Sequence, residues 1–333
     1  MRPSKFRSPL CARHLRILRQ VRRCALGLTA MAGLLATPSF AAQVWLSGVD
    51  AYAQPNNPSG SAFMQLFEPD AQWNAAAARV QVFKVSTQFL HRATDAEISA
   101  VIDGLRRRNI ALAMEGLMLP ASVRCGNGVE GYSGPHVMEQ IADRVKRLGG
   151  AIRYVAMDEP VWFGNHQRGQ NSCHDSVEAL AQQMAPNVHT LKTAFPAIEF
   201  GDIEPINDHT RDQLSAMLEF ARAFQTATGE KLAFVHADII WENSWQPQLI
   251  EWAARLQSAG MRFGVVFNGD PQDDTDTGWT AHAADRYAAV MSDPRMRPDQ
   301  AVFQTWMPRP TRTVPDSEAG TLTSVVVDAL GRK

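Results

Sequence analysis

Carboxyl groups dominate the residues able to do chemistry, and they gather where short apolar runs end. Asp158-Glu159-Pro160 follows IRYVAM, and Asp202 and Glu204-Pro205 close IEFGDI. Asp50 follows VWLSGV, Glu115 follows IALAM, and Asp270 comes soon after FGVVF with Asn268. His236 and Asp238 sit in LAFVHAD, Lys84 and Ser86 in VQVFKVS, Gln304 and Trp306 in AVFQTW. Paired carboxyls suit glycosidic bond cleavage. One stays protonated to serve the leaving oxygen, and one stays ionised to attack or to activate water. Several of these residues are i, i+2 pairs, which point to one side of a strand. A carboxylate at a strand end can also cap the next helix. That accounts for one or two acids, not for acids at six of eight run ends.

Tryptophans crowd the same places. Trp162, Trp241, Trp245, Trp279 and Trp306 all stand at or after such runs. A sugar ring offers apolar C–H faces between outward hydroxyls, so flat rings beside carboxylates fit carbohydrate. Trp73 and Trp252 lie in helix-like stretches and are expected to pack.

The elements that must position these groups repeat. Eight runs recur: Val44–Val49, Val80–Val85, Ile110–Met114, Ile152–Met157, Ile198–Ile203, Leu232–Ala237, Phe263–Phe267 and Ala301–Trp306. Helical patterns follow most of them. Thr94–Asn109 opens with Thr94 and Glu97 at capping-box spacing and carries Ile98, Val101, Ile102 and Leu105 on one face. Pro135–Leu148 ends at Gly149-Gly150, a stop signal. Ser176–Ala194, Thr210–Thr228, Gln246–Ser258, Thr280–Ser292 and Thr321–Leu330 continue the alternation. Eight strand–helix units predict the α/β class as a (β/α)8 (TIM) barrel, in one domain over 42–333. Chemistry in such barrels collects at the C-terminal ends of the strands.

Tyr154-Val-Ala-Met-Asp158-Glu159-Pro160 resembles the Asn-Glu-Pro strand end of the large clan of retaining (β/α)8 glycoside hydrolases. The resemblance implies Glu159 as the acid/base. Two departures stand out: Asp158 replaces the Asn that contacts the sugar 2-hydroxyl, and FNGD lacks the clan's nucleophilic Glu. The second carboxylate must come from elsewhere, and Glu204 in the echoing Asp-Ile-Glu-Pro is the expected one. Its strand should neighbour that of Glu159, which favours retention; pairing with Asp238 would favour inversion. Asp158, Asp238 and His236 are expected to tune pKa values and bind hydroxyls. Asp50, Lys84, Glu115 and Asn268 are expected to support them, with Trp162, Trp241 and Trp306 forming subsites. Adjacent acids on one strand also resemble barrels that use the substrate's own acetamido group.

Two other readings use the same mouth. Glu115, Glu159, Glu204, His236 and Asp238 could ligate a divalent metal, as in sugar-isomerase-like barrels. A barrel could also bind sugar without cleaving it. The reading adopted is hydrolysis of a poly- or oligosaccharide without a metal or other cofactor. Gly126–Gly131 matches GxGxxG but stands apart from its strand end, so a dinucleotide site is set aside. No GxSxG elbow or P-loop lysine motif is present. The acidic run Asp270–Asp276 lacks the EF-hand pattern and reads as a solvated loop.

The chain has 333 residues, 45% hydrophobic and 20% charged, which excludes a disordered polymer. Residues 1–41 hold eight basic residues, no acidic ones, and an apolar run from Cys24 to Thr37. Small residues precede a cleavage point after Ala41, so 1–41 reads as a signal peptide and the product as secreted or periplasmic. The remainder carries 25 basic residues against 34 acidic ones. That balance opposes nucleic acid or an anionic membrane as partner. A monomer is expected, with carbohydrate as its partner. Cys11 and Cys24 fall in the signal, leaving Cys125 and Cys173 as an expected disulfide that ties loops after the third and fourth strands.

Overall fold

The computed structural model describes residues 42–332 apart from 168, 207–210 and 243. The expected signal peptide, with Cys11 and Cys24, lies outside the described residues. Every expected strand forms. They are β1 (Gln43–Ser47), β2 (Val82–Ser86), β3 (Ala111–Gly116), β4 (Ile152–Asp158), β5 (Glu199–Ile206), β6 (Leu232–Ile239), β7 (Arg262–Phe267) and β8 (Gln300–Gln304). All eight pair in parallel and in chain order, and β8 returns to β1 with Gln304 opposite Ser47, closing the barrel. Runs rich in Val, Ile and Phe suit strands covered on both faces.

Helices cover the outside. Asp95–Arg108 carries the expected capping box: Thr94 Oγ1 accepts the Glu97 N–H at 3.2 Å while Glu97 Oε2 accepts the Thr94 N–H at 2.7 Å. Val137–Arg147, Val177–Ala194, Arg211–Thr228, Gln246–Ser258, Asp276–Ser292 and Leu322–Gly331 fall where the apolar periodicity puts them. The connection after β1 differs. It forms a 3₁₀ helix, Pro58–Phe67, and a short α-turn, Asn74–Ala77. Pro55, Pro58 and Gly60 deny it a regular helix. Trp73 and Trp252 are buried among helices, as expected.

Two cores result. The larger lies between sheet and helices; the smaller fills the barrel with Trp45, Val82, Ala113, Tyr154, Ala156, Ile203, Phe234, Val266 and Val302. The large rings need glycine opposite them. A Cβ on Gly201 would stand 2.2 Å from Phe234, and one on Gly264 2.3 Å from His236. The barrel is therefore plugged below its mouth. Among the described residues no helix is long and apolar enough to cross a membrane.

Candidate active site

A cavity of about 690 Å³ opens at the C-terminal ends of the strands. Its floor is Ile203 and Val266, the top layer of the inner core. Glu115, Asp158, Glu159 and Asp238 line it from β3, β4 and β6, and Glu130 joins them from the loop after β3. Trp306 supplies a half-buried ring from beyond β8. Lys84 rises beneath from β2, fully buried, and bonds both Glu115 and Gln304, the latter at 2.7 Å. Gln304 Nε2 donates to Glu115 at 2.9 Å, closing a three-residue network.

The backbone at Glu159 is unusual. Its φ is +47°, in the left-handed region that costs a β-carbon-bearing residue of order 1 kcal/mol or more. Pro160 follows and starts a helical turn that passes into a π-turn, Trp162–His166. Glu159 N–H donates to Ile203 O at 3.2 Å, which ties the end of β4 to β5.

Crowded acids raise one another. Burial, then the charges of Asp238 and Asp158, pushes Glu159 well above the usual carboxylate range. Asp158 is raised by burial and by Glu115 and Glu130. Asp238 is pushed up to about 7 by burial; Lys84 pulls it down while Glu115 and Glu130 push it up. Lys84 thus favours the ionised form of Asp238, whereas the neighbours acting on Glu159 are acidic. Both carboxyls are raised by burial, and the difference between them is that Lys84 acts on Asp238; acid–base division of labour uses an asymmetry of this kind.

Several expected site residues stand elsewhere. On β5 the inward positions are Gly201, Ile203 and Pro205, so Asp202 and Glu204 turn outward to the helices. Glu204 is fully buried and bonds Val161 N, Trp162 N and Gln213 Nε2 at 2.7, 3.0 and 2.9 Å. Burial raises it to about 8 against those three donors. The cavity therefore does not present Glu204 beside Glu159.

His236 points inward but below the cavity floor. Trp45 Nε1 can only donate, so Gln43 Oε1 accepts from it at 3.1 Å and from Gln300 Nε2 at 2.8 Å. Gln300 Oε1 then accepts from His236 Nε2 at 2.9 Å, which fixes the tautomer. Burial, with Lys84 nearby, lowers His236 to about 3, so it is a neutral core residue.

Asp50 is buried at the rim, accepting from Ser86 Oγ at 2.6 Å and from the N–H groups of Tyr52 and Ala53. It shapes the first loop and does not line the cavity. Asn268 Oδ1 accepts from Arg286, on the helix side. Trp241 stacks on Phe267 at 6.2 Å under the Arg286 guanidinium, and Trp162 stacks on His166 at 6.3 Å. Among the tryptophans expected to form subsites, Trp306 lines the cavity. The five-residue metal set is also broken up, since Glu204 and His236 leave it. Among the described residues no group of three or more His, Cys, Asp or Glu could hold a metal ion. Two carboxylates of the acidic loop after β7 pair with neighbouring side chains: Asp273 with His282 at 2.8 Å and Asp276 with Arg309 at 2.9 Å.

The GxGxxG stretch has a different use. Gly126, Gly128 and Gly131 all take positive φ, which bends the loop over the mouth and presents Glu130 and Tyr132. Glu130, Tyr132, His91 and Arg92 were not among the expected site residues. The triple glycine was the available signal for the first two.

The expected disulfide Cys125–Cys173 forms, with Cα atoms 5.1 Å apart, and ties this loop to the one after β4. Gly126 N–H to Asn171 O at 2.8 Å reinforces the seam. Its 48-residue separation gives about 4 kcal/mol of stabilisation in the chain-entropy model. The double Cys→Ser variant at 125 and 173 should lose that amount in denaturant unfolding, and an unchanged midpoint would reject it.

Solved structures share this architecture. A GH10 protein from Paenibacillus barcinonensis matches with a TM-score of 0.51 at 12% identity, over 80% of this chain and 84% of that one. A GH10 endoxylanase retrieved from a sugarcane soil metagenome gives 0.53 at 11%, over 87% and 97%. The chain shares their fold. At such identity the likeness is one of architecture. No family model matches the chain, and no curated protein matches it.

Proposed function

We propose that the chain is a glycoside hydrolase acting on a polysaccharide, with Glu159 as acid/base and Asp238 as the ionised partner. The observation that carries this reading is that both carboxyls line one cavity, with Lys84 favouring ionisation of Asp238 and not of Glu159. Asp238 is also the charge that raises Glu159 most. In the first step Glu159 gives its proton to the glycosidic oxygen as Asp238 attacks the anomeric carbon. In the second, Glu159 takes a proton from water, whose oxygen displaces Asp238. Both side chains line one cavity, so their reach and not the strand spacing sets their separation; retention is the reading adopted here, against the inversion that skipping β5 would favour. Trp306 offers a face for a sugar ring.

The same reading places the working protein outside the cytoplasm after removal of 1–41, where a disulfide persists. The test is reducing-end release from a polysaccharide panel starting with xylan, with proton NMR of the first-formed anomer. Retained configuration is the expected result. Inverted product would replace the covalent step by attack of water. Sugar binding without turnover would leave a binding barrel.

A further inference from the structure

We infer that Glu204 is a positioning residue, which caps from β5 the turn after Glu159 and thereby frees the Glu159 carboxyl to face the cavity. The catalytic part of this inference rests on the hydrolase reading; the capping part does not. The argument is an accounting of backbone donors. A helical turn begins with N–H groups that have no partner within it. Here the turn opens at Pro160, which has no N–H. The next two donors, Val161 and Trp162, each go to one oxygen of Glu204. The fourth, Phe163, goes back to Glu159 O at 2.9 Å. No donor is left over.

In an ordinary helix start the residue in the place of Glu159 supplies the cap with its own side chain. A Glu159 used that way would be bent back on its own turn and lost to the mouth. Glu204 takes the task over from the neighbouring strand. Its orientation follows from parity, because Ile203 occupies the inward position and supports the cavity floor. Gln213, itself buried on the helix Arg211–Thr228, holds the carboxylate from behind. With both its oxygens engaged by N–H donors and its side chain outside the barrel lumen, Glu204 has no path to an anomeric carbon.

Two measurements test this. In the parent protein, amide hydrogen exchange at Val161 and Trp162 should be strongly protected although the turn is short. Free exchange there would overturn the cap, and this holds whether or not any substrate is cleaved. On a substrate the parent cleaves, Glu204→Gln should lower kcat by about 10²-fold through misplacement of Glu159 while KM moves by at most about threefold. The limb of the pH–rate profile that reports Glu159 should move with it, and Glu204→Asp should lie between the two. Azide, which can replace a missing carboxylate nucleophile at the anomeric carbon, should not restore Glu204→Ala. Restoration by azide, or parental kcat and pH profile in Glu204→Gln, would overturn the assignment. If Glu204→Gln does not fold, the exchange data and Glu204→Asp decide.

Discussion

Glu159→Gln and Asp238→Asn are each expected to lower kcat by at least about 10²-fold while leaving the barrel folded. Each substitution keeps the side-chain volume and removes the ability to carry or release a proton. Neither carboxyl is a fold anchor, because both line open space. In the proposed role Glu159 protonates the leaving oxygen, so in Glu159→Gln substrates with good leaving groups should suffer least. Asp238→Asn, which removes the carboxylate proposed to act at the anomeric carbon, should suffer with all of them. Steady-state kinetics with circular dichroism as a fold control decides the matter. Near-parental turnover in both variants would remove the assignment. Near-parental turnover in Asp238→Asn, with Glu204→Gln inactive, would return the second role to Glu204.

The protein is expected to be more stable at pH 5 than at pH 9. Asp158, Glu159, Asp202, Glu204 and Asp238 all have folded pKa values above their usual ones, with burial as the largest cause. Such groups bind protons more tightly when folded. Their contribution is whole below the ordinary carboxylate range, and it is lost as pH rises through the folded values, about 7 for Asp238 and about 8 for Glu204. Thermal melts across this range should show Tm falling on the alkaline side. Asp158→Asn, which cannot ionise, should blunt the fall and raise Tm at pH 9. A Tm that is flat or rising from pH 5 to pH 9 would contradict the crowded-carboxyl account. It would also undercut the division of labour between Glu159 and Asp238, which depends on the same crowding.

The barrel was legible because its signals are local and repeated. VWLSGV, VQVFKV and LAFVHA are short apolar runs with branched and aromatic side chains, and Thr94 with Glu97 marks a helix start in four residues. The connection after β1 broke the rhythm where Pro55, Pro58 and Gly60 signal it. The site was half legible. Alternation says that Lys84 and Ser86 share a side, and that Asp202 and Glu204 share one, but not which side is the lumen. For β2 the polar pair, Lys84 and Ser86, faces in. For β5 the pair faces out, because Phe234 on β6 requires the bare backbone of Gly201 inside. That choice depends on a neighbouring strand 33 residues away, which no local pattern encodes. The tryptophans misled for a related reason: Trp162, Trp241 and Trp279 follow strand ends as Trp306 does, yet Trp162 stacks on His166, Trp241 on Phe267, and Trp279 is buried.

Because Trp45, Tyr154, Phe234 and His236 stopper the lumen, the mouth is a blind well and not a conduit. A polymer cannot thread through it. On the proposed reading, a substrate chain must drape over the rim or dip one end in and withdraw by the same route, so entry and product exit share a single opening. That opening is edged on one side by the loop that Cys125 and Cys173 pin to its neighbour. On the hydrolase reading, a looser rim should trade grip on the chain for faster departure of its pieces.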